Sequence, residues 1–502
     1  MFYFFPSDHN KTDSWEDRGP MWFENNGTLL FDEFFNYVRM FNKGKEESIL
    51  FVPTYSPNLR HYLYRKNIKN IKVISLFDVM QNISSNLETF NFDYRKLNWP
   101  ENTNFIYSSF AIFAYLFGDK FARILHGEDG NIVKIEFYRK NVVYKSAIFD
   151  DRGFISRIDA HDKEGSVYEK RFFNDIGNLQ FVEKKNGSVI LYNGEKKEDY
   201  YDDISALIRK SIKRYFHIHG SPNDVVVAAA DMFYMKHIIR STMDYKIILY
   251  CSSSRKFDYS WVLRNSHLIN GVILDSNKYL DNMTDIFDRN VVLIPPVDTH
   301  LPSSKGIQKQ YQRIALKIDD LTNNSLQLSI ETILKLISRH DDVYLAIFTY
   351  TGFNVSKLRN IIIDVGKGEF MLNSFDKQDD KKAETNKYSI NYYSIKSELE
   401  AVSFLKESDL LIDIADSVDT PTQVIGLSLG MPQINTCFSG YVDDNVNGKI
   451  ISSLGKELYD ALSFYLFNIE NRNISLVHSS NKIRKYYDRN IINILEGLIN
   501  EK

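Results

Sequence analysis

The chain has 502 residues, 43% hydrophobic and 25% charged, an ordinary globular composition on a length too great for one core, so two or three domains are expected. Its 65 acidic and 62 basic residues are interspersed and leave a net charge of −3, with no basic stripe of the kind a dedicated nucleic-acid binder needs. No apolar run approaches the roughly 20 residues that cross a bilayer. Two cysteines, Cys251 and Cys437, are too few for a disulfide scaffold and read as buried thiols in a reducing compartment.

The first residues, MFYFFPSDHNKTDSWED, have no basic region and turn polar early, so they do not read as a signal peptide. A cytoplasmic protein is expected, with any membrane contact peripheral. Residues 1–115 alternate short apolar runs with helical spacing. Phe2–Phe5, Ser48–Val52, Ile71–Ser75 and Asn104–Tyr107 read as buried strands, and Phe31–Phe41 as a helix. This alternation predicts βαβ units and a largely parallel sheet. The loop after the first strand has no glycine before Gly19, unlike loops that grip phosphate with their backbone. It carries Trp15, with Trp22 following; these indoles are either core anchors or platforms on which a sugar or partner stacks.

From about 111 to 194 the period changes. Turn signals recur at Gly118, Gly130, Gly153, Gly165, Gly177, Gly187 and Gly194, between β-branched and aromatic runs such as IVKIEFY and VVYKSAIF. This is an antiparallel meander with one buried and one wet face. Its Asp/Gly turns lack the ligand density of a calcium loop.

From about 202 to 297 the α/β pattern returns. Asp203 is placed to cap the helix ISALIRKSIKRYF, and DVVVAAA, KIILYC, GVILDS and NVVLIPP read as strands. The meander is therefore inserted between two parts of one Rossmann-like domain. His217-Ile218-His219 would put two imidazoles on one side of an extended segment, but no nearby Cys or closely spaced acid completes a zinc site.

A second α/β unit begins near Val297. Its expected strands are residues 313–318, 343–349, 369–373, 388–393, 410–414 and 432–436, with helices at Leu326–Arg339, Ser397–Glu407 and Pro421–Leu429. Residues 376–387 form a charged loop that no packed core could hold. The stretch from Ile483 to Ile499 spaces its apolar residues on one face of a helix. The expected organisation is an N-terminal Rossmann-like domain in two parts (1–110 and 201–297), an inserted antiparallel β domain (111–200), a C-terminal Rossmann-like domain (298–478) and a C-terminal helix (479–502) packing across domains.

Leu410–Asn447 runs strand, acidic loop, proline-started helix, Gly430-Met431-Pro432 and strand. That order resembles the C-terminal half of retaining GT-B glycosyltransferases, whose helix carries two glutamates that hold the nucleotide ribose and face the donor sugar. Counting back from Gly430-Met431-Pro432 places them at about Ser417 and Ile425, neither of which is acidic. An isoleucine cannot accept a hydrogen bond from a sugar hydroxyl. In those enzymes an Arg and a Lys near the turn after the first strand of this domain bind diphosphate. Here Lys317 is followed by Asp319-Asp320, acidic where positive charge is needed. Gly426-Leu427-Ser428-Leu429-Gly430 matches a nucleophile-elbow pattern, but with helix before and strand after, the reverse of an elbow.

The N-terminal pattern is the most specific. It combines Tyr3-Phe4-Phe5-Pro6-Ser7, Trp15, Trp22-Phe23, Tyr55-Ser56-Pro57-Asn58-Leu59-Arg60, His126-Gly127-Glu128-Asp129-Gly130 and Phe149-Asp150-Asp151-Arg152-Gly153-Phe154. With the LKIDDL and LSLGMPQIN segments, it resembles the family of the first accessory secretory protein of the accessory Sec system of Gram-positive bacteria, across essentially the whole chain. The resemblance implies a GT-B-like, two-Rossmann scaffold with an inserted β domain, serving as a non-catalytic adaptor. Its implied partners are the second and third accessory secretory proteins, the accessory SecA ATPase and a serine-rich repeat glycoprotein.

Three readings follow: such an adaptor, an active glycosyltransferase with an unrecognised acid–base arrangement, or a lectin-like binder of the O-glycans on that serine-rich repeat glycoprotein, an adhesin. No catalytic, cofactor-binding or metal-ligating residue is assigned. The glycan or partner cleft is assigned to Trp15, Trp22, Lys317, Asp319, Asp413 and Asp416.

Overall fold

The computed structural model describes residues 1–7, 14–16, 33–44, 46–65, 68, 71–84, 89, 92–194, 196–297, 299, 311–375, 389–417 and 419–500. Trp22 and the charged loop at 376–387 lie outside them. The chain forms two compact units, Met1–Asn25 with Glu47–Ile247, and Asn26–Glu46 with Ile248–Lys502.

In the first unit, parallel strands run in the order Val225–Ala229, Phe2–Phe5, Ser48–Val52, Lys72–Ser75. Phe2–Phe5 and Val225–Ala229 are buried throughout, because helices covering both faces of a parallel sheet demand unbroken apolar runs. Between Lys72–Ser75 and Val225–Ala229 the chain builds a ten-stranded antiparallel meander, from Thr103–Tyr107 to Lys196–Tyr201, each strand paired with its sequence neighbours. The chain then rejoins the parallel sheet beside Phe2–Phe5, so the meander is an insertion. Its turn glycines Gly130, Gly165, Gly177 and Gly187 have φ of 82°, 83°, 82° and 88°, the left-handed region that a side chain disfavours.

Two expectations change here. Asn104–Tyr107 is not a buried strand of the parallel sheet; Thr103–Tyr107 is the exposed edge of the meander, antiparallel to Ala111–Leu116. An apolar run marks a strand but not its partner. His217 and His219 lie in the helix Ile204–His219, capped by the Asp203 carboxylate at 2.7 Å from the Ala206 N–H. Residues two apart on a helix point to different sides, so they do not converge as they would in an extended segment. Among the described residues no group of three or more His, Cys, Asp or Glu could hold a metal ion.

The meander is bolted to its unit by buried polar contacts. Asp151 Oδ2 accepts the main-chain N–H groups of Arg60 at 2.7 Å and His61 at 3.0 Å, at the start of the helix Leu59–Arg65. Arg152 bridges Asp150 and Asp78, and Arg157 lies over the Tyr55 ring, 4.7 Å from its centre. The two sequence motifs around Tyr55–Arg60 and Phe149–Ser156 are thus the two halves of one joint.

The second unit holds the parallel strands Gly271–Leu274 and Val291–Leu293, and a seven-stranded parallel sheet. Its order is Met371–Phe375, Ser389–Ser394, Val343–Thr349, Gln312–Lys317, Leu410–Asp413, Gln433–Asn435, Gly448–Ile450. Helices Asn323–Ile337 and Lys456–Leu466 bury their apolar faces on it in one core with Ile314, Leu316, Ile347 and Ile412. The C-terminal stretch is broken: one helix ends at Arg484, and another, Asp488–Asn500, packs on the helix Glu33–Lys43 and on Gly271–Leu274. Tyr486 lies in the intervening turn, its carbonyl taken by the Thr299 hydroxyl at 2.9 Å. Cys251 is buried and Cys437 half-buried, both free. Among the described residues no helix is long and apolar enough to cross a membrane.

Candidate functional site

In the seven-stranded sheet the chain winds outward on one side after Gln312–Lys317 and on the other after Leu410–Asp413. These neighbours make the switch point, beyond whose carboxyl ends ligands of open α/β sheets bind. Lys317 and Asp413 are the last residues of the two strands. Asp319 follows one, and the helix Thr420–Ser428 follows the other.

The cation there is already taken. Lys317 Nζ lies 3.0 Å from the Asp419 carboxylate and 3.9 Å from that of Asp413, with the lysine side chain 4% exposed. Burial alone would depress its pKa, yet Asp419, Asp413 and Asp319 together hold it above the ordinary lysine value. Asp419 also caps the helix Thr420–Ser428, accepting from the Thr422 main-chain N–H at 3.3 Å and the Thr422 hydroxyl at 3.1 Å. The two features that would attract a diphosphate, an ammonium and a helix N-terminus, are therefore both spent on one internal carboxylate.

Asp319 is equally committed. It accepts from the Thr349 hydroxyl at 2.6 Å, the Tyr350 N–H at 3.0 Å, and the Thr351 N–H and hydroxyl at 3.0 and 2.7 Å. It organises the end of the neighbouring strand rather than facing a ligand. Asp413 is 3% exposed, and burial pushes its carboxyl up to about 6 despite Lys317. Gln423 donates to it at 3.3 Å. Tyr350 and Thr422 close the layer with a 2.7 Å bond between their hydroxyls.

The rim is sealed as well. Ser253 Oγ, held by Asp275 at 3.1 Å, lies 3.3 Å from Thr420 Oγ1, and both residues are buried. The main-chain N–H of Asn277 donates to the Ser439 carbonyl at 3.2 Å. Ser417 and Ile425, the positions reached by counting back from Gly430, are an exposed serine and an isoleucine 2% exposed. Ser428 lies in the helix Thr420–Ser428, ahead of the strand Gln433–Asn435, and its hydroxyl bonds the Val424 carbonyl at 2.8 Å, so no nucleophile elbow is formed.

Of the assigned cleft residues, Lys317, Asp319 and Asp413 meet in this buried network, while Asp416 sits exposed on the loop after the strand. Trp15 belongs to the first unit and is 3% exposed, wedged against Phe233, Tyr234 and His237, with its indole N–H on Ser205 Oγ at 2.8 Å. A covered indole has no free face for a sugar ring, so the platform alternative fails for Trp15 and the core alternative describes it. Asp419 is the residue that sequence reading passed over. Its signal was present: an Asp directly before Thr420-Pro421 is an N-cap followed by a proline in the first turn.

The whole chain, residues 1–502, matches the family model described as accessory Sec system protein Asp-one. The accessory Sec system protein of that name from Staphylococcus aureus is 25% identical over 99% of each chain. A chain of the Glycosylation Associate Protein (Gap123) complex from Streptococcus agalactiae is 28% identical, with both chains covered in full and a TM-score of 0.81. The pneumococcal O-GlcNAc transferase GtfA, solved with UDP and GlcNAc, is 13% identical over all of this chain and 98% of its own, with a TM-score of 0.67. The last likeness establishes the glycosyltransferase-type fold and nothing of its chemistry.

Proposed function

The chain belongs to the accessory Sec system protein Asp-one family, and from that premise we propose that it is a non-catalytic component of the accessory export machinery. It assembles with the second and third accessory secretory proteins, a reading supported by the presence of a related chain in the Gap123 complex, and works in the cytoplasm at the inner face of the membrane. Its cargo is a glycosylated serine-rich repeat adhesin, passed on to the accessory SecA motor.

The observation that carries the non-catalytic reading is the Lys317–Asp419 pair, seated where a transferase would hold the donor diphosphate. A retaining transferase must stabilise the leaving diphosphate and orient the donor. Here the cation is neutralised from within, and no carboxylate stands at Ser417 or Ile425. The rival reading, an active transferase using Asp413 or Asp416, is disfavoured because Asp413 is buried and bonded.

Calorimetric titration with UDP-GlcNAc, followed by a turnover assay on a serine-rich peptide, tests this directly. Neither binding nor transfer is expected, whereas the chain should co-purify with both accessory partners. Robust transfer would overturn the proposal.

A further inference from the structure

The helix Ile469–Arg484 inverts the usual pattern of a surface helix. Its packed side is polar. Arg472 reaches the Asp409 carboxylate at 3.1 Å, and the Ser475 hydroxyl donates to the Asn447 carbonyl at 3.3 Å. His478 and Lys482 both meet Asp443, at 2.6 and 2.7 Å. The outer side carries the apolar residues instead: Ile469, Ile474 and Val477 are 65%, 54% and 59% exposed. Ile474 and Val477 line an open groove of about 420 Å³ together with Val446, Asn473, His478 and Asn481. Apolar side chains held in water on one continuous helix face mark a surface that gains by being covered.

The order of residues along that face says what covers it. Glu470, Asn473, Val477, Asn481 and Arg484 recur every three or four positions, so they share one side of the helix, and all are exposed. The row is self-complementary about Val477. Asn473 and Asn481 stand four residues to either side of it, and Glu470 and Arg484 seven. Two copies lying antiparallel across a two-fold axis at Val477 therefore set valine on valine, amide on amide and carboxylate on guanidinium. A parallel pair would set Glu470 on Glu470 and Arg484 on Arg484, which like charge opposes. We propose that the helix Ile469–Arg484 is a self-association surface, on which a second copy of this chain packs antiparallel. Ile474, beside the axis, enters the groove that the partner makes between Val446 and its own helix. A seam of about two heptads is smaller than a standard interface, so the dimer forms at tens of micromolar, on the order of magnitude of transient pairs. This surface is independent of the export role and of the crevice at Lys317.

Sedimentation velocity on the full chain, from about 1 to about 200 μM, tests the proposal. The mean mass should climb from one copy towards two. Val477→Asp, which sets two carboxylates on the axis, should hold the mass at one copy, with an unchanged melting temperature as evidence that the variant folds. Glu470→Arg should weaken association roughly threefold to tenfold, and Glu470→Arg combined with Arg484→Glu should restore it. A merely sticky patch would not be rescued by that exchange, so its failure overturns the antiparallel arrangement. A single copy's mass at the highest concentration, an assembly indifferent to Val477→Asp, or a face covered only when an accessory partner is added overturns the proposal itself. The wild-type mass decides the matter even if a variant fails to fold.

Discussion

The Lys317 ammonium stands 3.0 Å from the Asp419 carboxylate, and that carboxylate also caps the helix Thr420–Ser428. One acid thereby joins the strand Gln312–Lys317 to the helix following Leu410–Asp413. It does so at the position where related scaffolds admit a ligand. A crevice closed by its own charges behaves as a structural joint, as the proposed non-catalytic role requires.

Asp419→Ala strips Lys317 of its nearest counter-charge inside a covered site. Breaking a buried pair from one side costs roughly 3–5 kcal/mol, because the remaining charge is stranded. Urea denaturation should register that loss. Asp419→Asn, which can still cap the helix, should lose less. A change below about 1 kcal/mol for the alanine variant would mean the ammonium is solvated, contrary to the pairing.

Trp15 is expected to act through packing. Trp15→Ala should destabilise the first unit by about 3–5 kcal/mol, the usual toll of emptying a large aromatic site. Trp15→Phe should recover part of it while losing the bond to Ser205. If Trp15→Ala left the melting temperature unchanged but abolished binding to a glycosylated peptide, the indole would be a recognition surface after all.

The joint of the meander should respond to pH. Burial, then the nearby Asp150, pushes the Asp151 carboxyl up to about 7. Unfolded, the same group titrates near ~3.9. The folded state therefore holds this proton more tightly, and the group's contribution is complete below about pH 4 and declines as pH rises through about 7. Asp151→Asn should flatten the fall in stability across that window. A thermal-melt series over the window, compared with wild type, reads the slope; an unaltered slope would assign the titration elsewhere.

Gly430 ends the helix Thr420–Ser428 with φ of 70°, and a Cβ there would run into the Leu476 side chain. Gly430→Ala combines left-handed backbone strain with that clash, so a loss above about 1 kcal/mol is expected by chemical denaturation. A neutral outcome would show that the helix Ile469–Arg484 can shift aside.

Much of the architecture was legible along the chain. The runs KIILYC and VYLAIFT occupy the strands Lys246–Cys251 and Val343–Thr349 as read, and Asp203 caps its helix as its position implied. The glycine turns placed the meander because only a left-handed residue closes such hairpins at low cost. The partner of Asn104–Tyr107 was not legible, nor was the break after Arg484, since apolar spacing continues through Tyr486 and Tyr487. The candidate site was legible only by what it lacks: acids at Ser417 and Ile425, and a cationic turn after Lys317.

The sequence by itself determined most of the elements, the insertion of the meander and the missing carboxylates, because local propensity and residue identity are properties of the chain. Tertiary structure alone decided that Asp419 meets Lys317, that Asp319 serves the Thr349–Thr351 backbone, and that Trp15 is covered. Charge pairing and burial depend on which distant segments come together, and no spacing along the chain records that distance.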